Sequence, residues 1–362
     1  MHFSTEYARR VAALGHEVTL FCLGQEDRRV ESIREDGFTV RVLPVDAHFP
    51  PRMMSGNAHS VLLVREVGQM KPEVIHYHNY LAWNFLYNAP LLKAGGTALI
   101  AQYHGRPDPL IFQRGRMFWP SFRLVDRYLV PTQAEELHLQ NAFHVDRARI
   151  TVFPNVGVDT STFRPVMAKT EFPQFLYVGR IPLEPGSLWE KSPSRVLRIL
   201  RALKDLNVSF KLDVAGDGPG MEHFMSIVDE LGLRGEVNML GFLDQRDLPP
   251  LYSSSWLTFV PMHMEGIDIG WDASLKESLA CGTPVAAFND DRPRSDELGL
   301  LLPSHPLGAA EMLAQFVENP GPLLKNAAKG PQLVAKSCDW SVVIGRLLGV
   351  YQKATVKTKA TK

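Results

Sequence analysis

The chain has 362 residues, a hydrophobic share of 45%, a charged share of 22% and a formal net charge of +0. That length is too great for one ordinary core and suits two domains, and the balanced charge gives no electrostatic case for nucleic-acid binding. The three cysteines, Cys22, Cys281 and Cys338, make no CxxC or Cys/His spacing, and no apolar run reaches membrane-span length or forms a signal-peptide core, so neither a disulfide framework nor a zinc site is expected and a reducing cytoplasm is the expected compartment.

The chain opens on a helical stretch, Glu6 to Gly15. Short apolar runs then read as strands: His16 to Cys22, Phe38 to Leu43, Val74 to His76, Ala98 to Tyr103, Arg127 to Val130 and Ile150 to Phe153. A second series follows at Phe175 to Val178, Phe210 to Ala215, Val237 to Leu240, Leu257 to Val260 and Pro284 to Ala287. Amphipathic helical stretches separate them, which implies crossover connections and parallel sheets in two doubly wound α/β domains. The first domain is expected over 1–155 and a turn-rich linker over 156–173. The second is expected over 174–337, followed by a helix over 338–352 and a disordered Lys-rich tail over 353–362. A doubly wound domain usually opens on a strand whose following loop approaches the ligand. The first domain therefore reads as lacking its first strand, the other reading being a fold that simply opens on a helix.

Chemistry concentrates in the second half. From Glu265 to Ala287 an acidic residue opens a glycine-containing loop, Glu277 enters a helix, and Cys281-Gly282-Thr283-Pro284 turns into an apolar strand. This layout can set loop amides and a helix N-terminus beside an anion, with a carboxylate for ribose hydroxyls. Tyr177-Val178-Gly179-Arg180 runs a strand into a glycine and a cation, and Lys191 precedes the next helix. Such a pair can neutralise a diphosphate, or each can be an ordinary surface cation. At Gly216-Asp217-Gly218-Pro219 the glycines allow backbone amides to approach a ligand, or simply make a tight turn. In the first half, His76, His78 and His104 follow strands, where α/β sheets face their ligands. The large apolar residues Phe112, Met117, Phe118 and Trp119 interleave with Arg106, Arg114, Arg116 and Arg123. That segment reads as an aromatic helix with solvated arginines or as a peripheral contact with the inner face of an anionic membrane. No Asp-x-Asp pair, Walker loop or Gly-x-Ser-x-Gly elbow occurs.

Taken in order, these segments resemble glycosyltransferase family 4, the retaining GT-B enzymes also called glycosyl transferases group 1. The resemblance spans nearly the whole chain. It runs through Gly15-His16-Glu17-Val18-Thr19, Glu73 to His78, Tyr103-His104-Gly105 and Pro154 to Asp159. It continues through Gly179-Arg180, Gly216 to Pro219, Leu240-Gly241-Phe242 and Glu277 to Val285. It implies two Rossmann-like domains facing across a cleft, with the donor held by the second. The implied reaction is metal-independent transfer of a sugar from a nucleotide-diphosphate sugar, with retention at the anomeric carbon and no cofactor beyond that donor substrate. Arg180 and Lys191 would hold the diphosphate and stabilise its developing charge. Gly179, Gly216, Gly218, Gly266 and Ser278 would line the donor site, Glu277 would bind the ribose, and Glu265 and His104 would lie at the donor sugar. The acceptor, a saccharide, a lipid-linked molecule or a small molecule, is not specified, nor is the oligomeric state.

Two departures stand out. Eleven residues separate Glu265 from Glu277, more than the family usually has, so the loop Ile267 to Ser274 is enlarged. Arg180 and Lys191 are also further apart than usual, with Glu184-Pro185-Gly186 and Glu190-Lys191-Ser192 as competing matches to one family step. They keep a second reading in view: a GT-B protein that binds nucleotide sugars with little or no transfer.

Overall fold

A computed structural model describes residues 3–24, 31–48, 58–94, 96–104, 120–183, 192–270 and 272–360. The first elements are α1 (Phe3–Ala12), β1 (Thr19–Leu23), β2 (Glu31–Glu35), β3 (Phe38–Leu43), β4 (Ala47–His48), β5 (Ala58–His59), α2 (Val61–Met70), β6 (Val74–His78), α3 (Trp83–Lys93), β7 (Ala98–Gln102), β8 (Arg127–Val130), α4 (Gln133–Phe143) and β9 (Ile150–Val152). There follow β10 (Gln174–Val178), α5 (Pro193–Asp205), β11 (Lys211–Ala215), α6 (Met221–Glu230), β12 (Val237–Gly241), α7 (Leu248–Ser254), β13 (Leu257–His263), α8 (Ala273–Ala280), β14 (Val285–Phe288), β15 (Arg294–Asp296) and β16 (Gly299–Leu302). The chain ends with α9 (Pro306–Glu318), α10 (Gly321–Ala327), α11 (Gly330–Cys338) and α12 (Trp340–Ala360). One compact unit comprises Met1–Val156 with Ser341–Lys362, and the other is Gly157–Trp340.

In the first unit β6, β7, β8 and β9 pair in that order, all parallel. A separate sheet has the order β1-β3-β2, so the strands expected in one doubly wound sheet are divided between two. Strand β7 is buried at every residue, because its apolar side chains meet packing on both faces. Its neighbour β6 is half-buried throughout. Aromatic rings fill the space beside this sheet: Phe122 stacks on Phe143 at 4.4 Å, and Tyr80 meets Tyr128 edge-on at 5.2 Å.

Helix α12 corrects the expectation of a disordered tail from residue 353. It stays helical to Ala360, with Ala354 fully buried. Ala and Lys favour helix, and the first unit supplies a surface to pack on. Arg346 donates to the Val152 carbonyl at 2.7 Å and lies over the Phe153 ring.

The second unit has one seven-stranded sheet, β12-β11-β10-β13-β14-β16-β15, parallel except for β15 against β16. Both faces are covered. Phe175 and Tyr177 of β10 point into a core with α5, α6 and α9, while Leu176 points into a core with α7, α8 and α11. The expected linker 156–173 is not a free connector. Val158 and Phe163 are buried in the second core, and the Val158 N–H donates to the Cys338 carbonyl at 2.8 Å. Turn residues around these apolar anchors hide them from a composition-based reading.

Three successive loops at the C-terminal edge of this sheet touch backbone to backbone. The Gly179 N–H donates to Ala215 O at 3.1 Å, Ile181 N–H to Asp217 O at 3.0 Å, Gly216 N–H to Gly241 O at 2.8 Å and Gly220 N–H to Ile181 O at 3.1 Å. A Cβ at Gly216 would stand 1.9 Å from the Gly179 carbonyl oxygen, and one at Gly218 2.2 Å from that of Ile181. Neither fits without moving a backbone. Gly216→Ala should therefore lower the stability of the second unit by about 2–3 kcal/mol. Gly345, inside α12 with open space around it, is the control: Gly345→Ala should stabilise by about 0.5–1 kcal/mol. Urea unfolding midpoints check both, and an unmoved midpoint for Gly216→Ala contradicts the close approach.

Candidate active site

Strand β10 is the point where the sheet changes direction. The chain leaves it toward β11 and β12, then returns to add β13 on its other side, parallel and in the register Phe175↔Leu257 to Tyr177↔Phe259. The helices that leave β10 and β13, α5 and α8, pack on opposite faces, which leaves a crevice at the C-terminal ends of those strands. Gly179 and Arg180 follow β10, and Glu265 and Gly266 follow β13. Arg180 is exposed, and its guanidinium has no partner among the described residues; its carbonyl accepts from the Tyr177 hydroxyl at 2.8 Å. The Glu265 side chain is exposed as well, while its carbonyl accepts from Arg294 at 3.1 Å. A Cβ on Gly266 would make only ordinary contacts, 3.7 Å to Arg294. Internal packing does not demand glycine there, unlike at Gly216 and Gly218.

Glu277 lies on α8 and is 7% exposed. The Tyr252 hydroxyl, from α7, donates to its Oε2 at 2.9 Å. Burial first, then the Glu277 charge, pushes the Tyr252 pKa well up, so the phenol stays a donor. One carboxylate oxygen is thereby fixed in place. Behind it, the Thr283 hydroxyl donates to the Tyr252 carbonyl at 2.5 Å, and the Lys169 ammonium reaches both Thr283 Oγ1 and the Ser255 carbonyl. Ser278 is fully buried, bonded to Thr258 Oγ1 at 2.8 Å and Thr283 O at 3.0 Å. Its hydroxyl braces α8 against β13.

Two expectations change in physical content. The glycine-loop amides do not point at an anion: those of Gly179, Gly216 and Gly220 are spent on neighbouring carbonyls, and the Gly218 N–H donates to Asp217 Oδ1 at 2.6 Å. Gly216 and Gly218 shape the rim through close packing. The N-terminus of α8 also has an anion already, since Asp272 caps it and accepts from the Leu275 N–H at 3.2 Å.

Tyr252, Lys169 and Lys276 were not singled out from the sequence. Lys276 is fully buried, and its ammonium has no hydrogen-bond partner among the described residues. Burial lowers its pKa, and Cys338, Asp272, Glu277 and Asp268 oppose that shift. Its signal was positional: it lies one turn before Leu279 and Ala280, on the apolar side of α8.

In the first unit, His78 Nδ1 lies 2.7 Å from His104 Nε2. His76 Nδ1 lies 2.8 Å from the Tyr351 hydroxyl of α12. Tyr7 of α1 faces all three histidine rings at 6.1–6.4 Å. Lys191, the Glu184–Gly186 and Glu190 alternatives, Gly105, and the aromatic and arginine residues from Arg106 to Trp119 lie outside the described residues. Among the described residues, no helix is long and apolar enough to cross a membrane, and no group of three or more His, Cys, Asp or Glu is placed to hold a metal ion.

Comparison with known proteins decides the family. Residues 3–162 match the model of Glycosyltransferase Family 4, and residues 159–329 that of Glycosyl transferases group 1. The chain belongs to glycosyltransferase family 4. This glycosyltransferase is 26% identical to the D-inositol 3-phosphate glycosyltransferase of Streptosporangium roseum, over 97% of its own length and 87% of that protein's. Its fold is that of sucrose-phosphate synthase from Thermosynechococcus elongatus, with a TM-score of 0.71, 17% identity and coverage of 98% and 93%. Anabaena Alr3699/HepE in complex with UDP matches at a TM-score of 0.64, 15% identity and coverage of 87% and 86%. These neighbours establish a two-domain GT-B fold for the glycosyltransferase.

The histidine cluster makes stability depend on pH. Burial lowers the His76 pKa from 6.5 to about 4, so above 6.5 neither state of the chain carries that proton. Between 6.5 and 4 the unfolded chain binds it and the folded chain does not, so stability falls as pH drops through this window and levels below it. Urea midpoints measured across that range should fall less steeply in His76→Gln than in wild type. Parallel profiles contradict the burial of a neutral imidazole.

Proposed function

We propose that this glycosyltransferase takes its sugar from a nucleotide-diphosphate sugar and transfers it with retention of anomeric configuration and without a divalent metal. The observation that carries the reading is the exposed Arg180, whose guanidinium has no partner among the described residues, at the mouth of β10 beside the Glu265 loop of its parallel neighbour β13. Open α/β sheets bind ligands at such a reversal. Arg180 neutralises the diphosphate as the bond to the anomeric carbon breaks, and Lys191 adds a second cation. Glu277, held by Tyr252, accepts from ribose hydroxyls. Phe242 is 78% exposed just beyond Gly241, on the same rim of loops, and offers a ring face for a nucleobase. UDP, the ligand of the Anabaena fold neighbour, is of the class this rim suits.

In the transfer, the acceptor hydroxyl oxygen bonds to the anomeric carbon while the bond from that carbon to the diphosphate oxygen breaks. The acceptor's proton passes to the departing phosphate oxygen, so no separate protein base is required. Entry and departure on one face of the sugar retain its configuration. Glu265, Gly266 and His104 are assigned to the donor sugar. Charge grows on the diphosphate during this step, so a fixed cation stabilises the transition state more than the bound donor.

Incubation with UDP-, GDP- and ADP-sugars plus acceptors tests the reading: nucleotide release supports it, and saturable binding without release defeats it. Arg180→Ala should lower kcat roughly 10²-fold or more. Glu277→Ala should raise the KM for donor through the lost ribose acceptor, and an unchanged KM removes Glu277 from the donor site. EDTA should leave the rate intact, whereas abolition by EDTA with recovery on added Mg²⁺ or Mn²⁺ contradicts neutralisation by protein cations.

A further inference from the structure

The last residue of β6 and the residue after it hold His104 at two points. His78 Nδ1 is 2.7 Å from His104 Nε2. Asn79 Oδ1 accepts from the His104 backbone N–H at 3.0 Å. Asn79 itself is left-handed at φ 62, and its own N–H donates to the Gln102 carbonyl at 2.8 Å. That unusual backbone conformation turns the side chain of Asn79 toward the end of β7. His78 is also anchored from behind: its ring stacks on His76 at 4.4 Å, and His76 is bonded to Tyr351 of α12.

We propose that His78 is a positioning residue for His104, fixing the tautomer and ring plane that His104 presents during sugar transfer. This rests on the assignment of His104 to the reaction. Two imidazole nitrogens at this distance need one donor and one acceptor. If His104 Nε2–H donates, its Nδ1 is left as an acceptor. If His78 Nδ1–H donates, His104 Nδ1 carries the proton. Either way the partner dictates the character of the other His104 nitrogen, as a second residue commonly does for a working histidine.

The pair also has a restricted proton count. It takes up one further proton and keeps the contact, because one of the facing nitrogens can still accept. A second would set donor against donor and two positive charges side by side. Among the described residues, the titratable groups facing the pair include Tyr7 from α1, whose ring lies 6.1 Å from His78 and 6.4 Å from His104, and His76 from β6 with Tyr351 of α12 behind it. Burial keeps His76 neutral down to about 4, so it adds no charge near neutral pH.

Three substitutions separate positioning from packing. His78→Phe keeps a flat ring against His76 and removes the nitrogen. His78→Asn puts amide atoms where Nδ1 stands, and His78→Gln puts them where Nε2 stands. The Phe variant should lose roughly tenfold in kcat, the size of one hydrogen bond, with little change in donor KM. Asn should recover most of that loss and Gln should not. The pH profile of kcat should shift in the Phe variant, where His104 titrates without its partner, and the ¹⁵N shifts of the His104 ring should change with it. Wild-type kcat and an unmoved pH profile in His78→Phe overturn the inference, as does an Asn variant no better than Phe. If the wild type releases no nucleotide from any donor, the transferase reading fails by itself. The ¹⁵N spectrum then decides the pairing: His104 shifts unaltered by His78→Phe overturn it.

Discussion

Parallel pairing of β10 with β13 is the constraint from which the second unit follows. Residues Phe175 to Tyr177 can satisfy their backbone on that side only if the chain crosses back over the sheet after β12. The return puts helices on both faces and leaves the C-terminal ends of two adjacent strands uncovered. Among the described residues, three of the groups assigned to the donor sit on that opening or one helix behind it. Arg180 and Glu265 lie on the two strand exits, and Glu277 lies on the helix that β13 feeds.

The opening is rigid for reasons visible in the backbone. Glycines at 216, 218 and 220 let three loops lie against one another at distances no side chain would permit. The amides of Gly216 and Gly220 go to carbonyls of neighbouring loops and that of Gly218 to Asp217 Oδ1, so these amides are spent, while the Arg180 side chain is exposed to meet a diphosphate. The floor is equally fixed. Tyr252 holds Glu277, Thr283 holds the Tyr252 backbone, and Lys169 ties the preceding segment to both turns. A buried ammonium at Lys276 would be costly alone; Asp272, Asp268 and Glu277 offset its charge, and two of these three belong to the enlarged loop. The enlargement is thus built into the packing of α8, and it is not a detachable excursion.

Much of this was legible in the residues. Strands at Phe38–Leu43 and Arg127–Val130 coincide with their apolar runs, and the alternation of strands with helical periods gave the two-domain α/β class. β16 was missed because Gly299–Leu302 is a four-residue run with no alternation, and β15 because Arg294–Asp296 is charged. The segment after Val156 looked like a linker because its turn residues outnumber the two apolar side chains that anchor it. Glu277 could be picked out by its place before Cys281-Gly282-Thr283-Pro284. Its partner Tyr252 could not, since they meet only when α7 and α8 pack together. The glycines were visible, but whether they serve a ligand or each other depends on carbonyls that are distant in sequence. The histidine pairing likewise needs β6 and β7 side by side before His78 and His104 can be seen to touch.

A crystal structure of the protein bound to the nucleoside diphosphate it releases tests the central claim most directly. The account places the phosphates against the Arg180 guanidinium at the exit of β10, with the ribose hydroxyls on Glu277. A nucleotide bound at any other edge of the sheet, or with its phosphates turned away from Arg180, would contradict it.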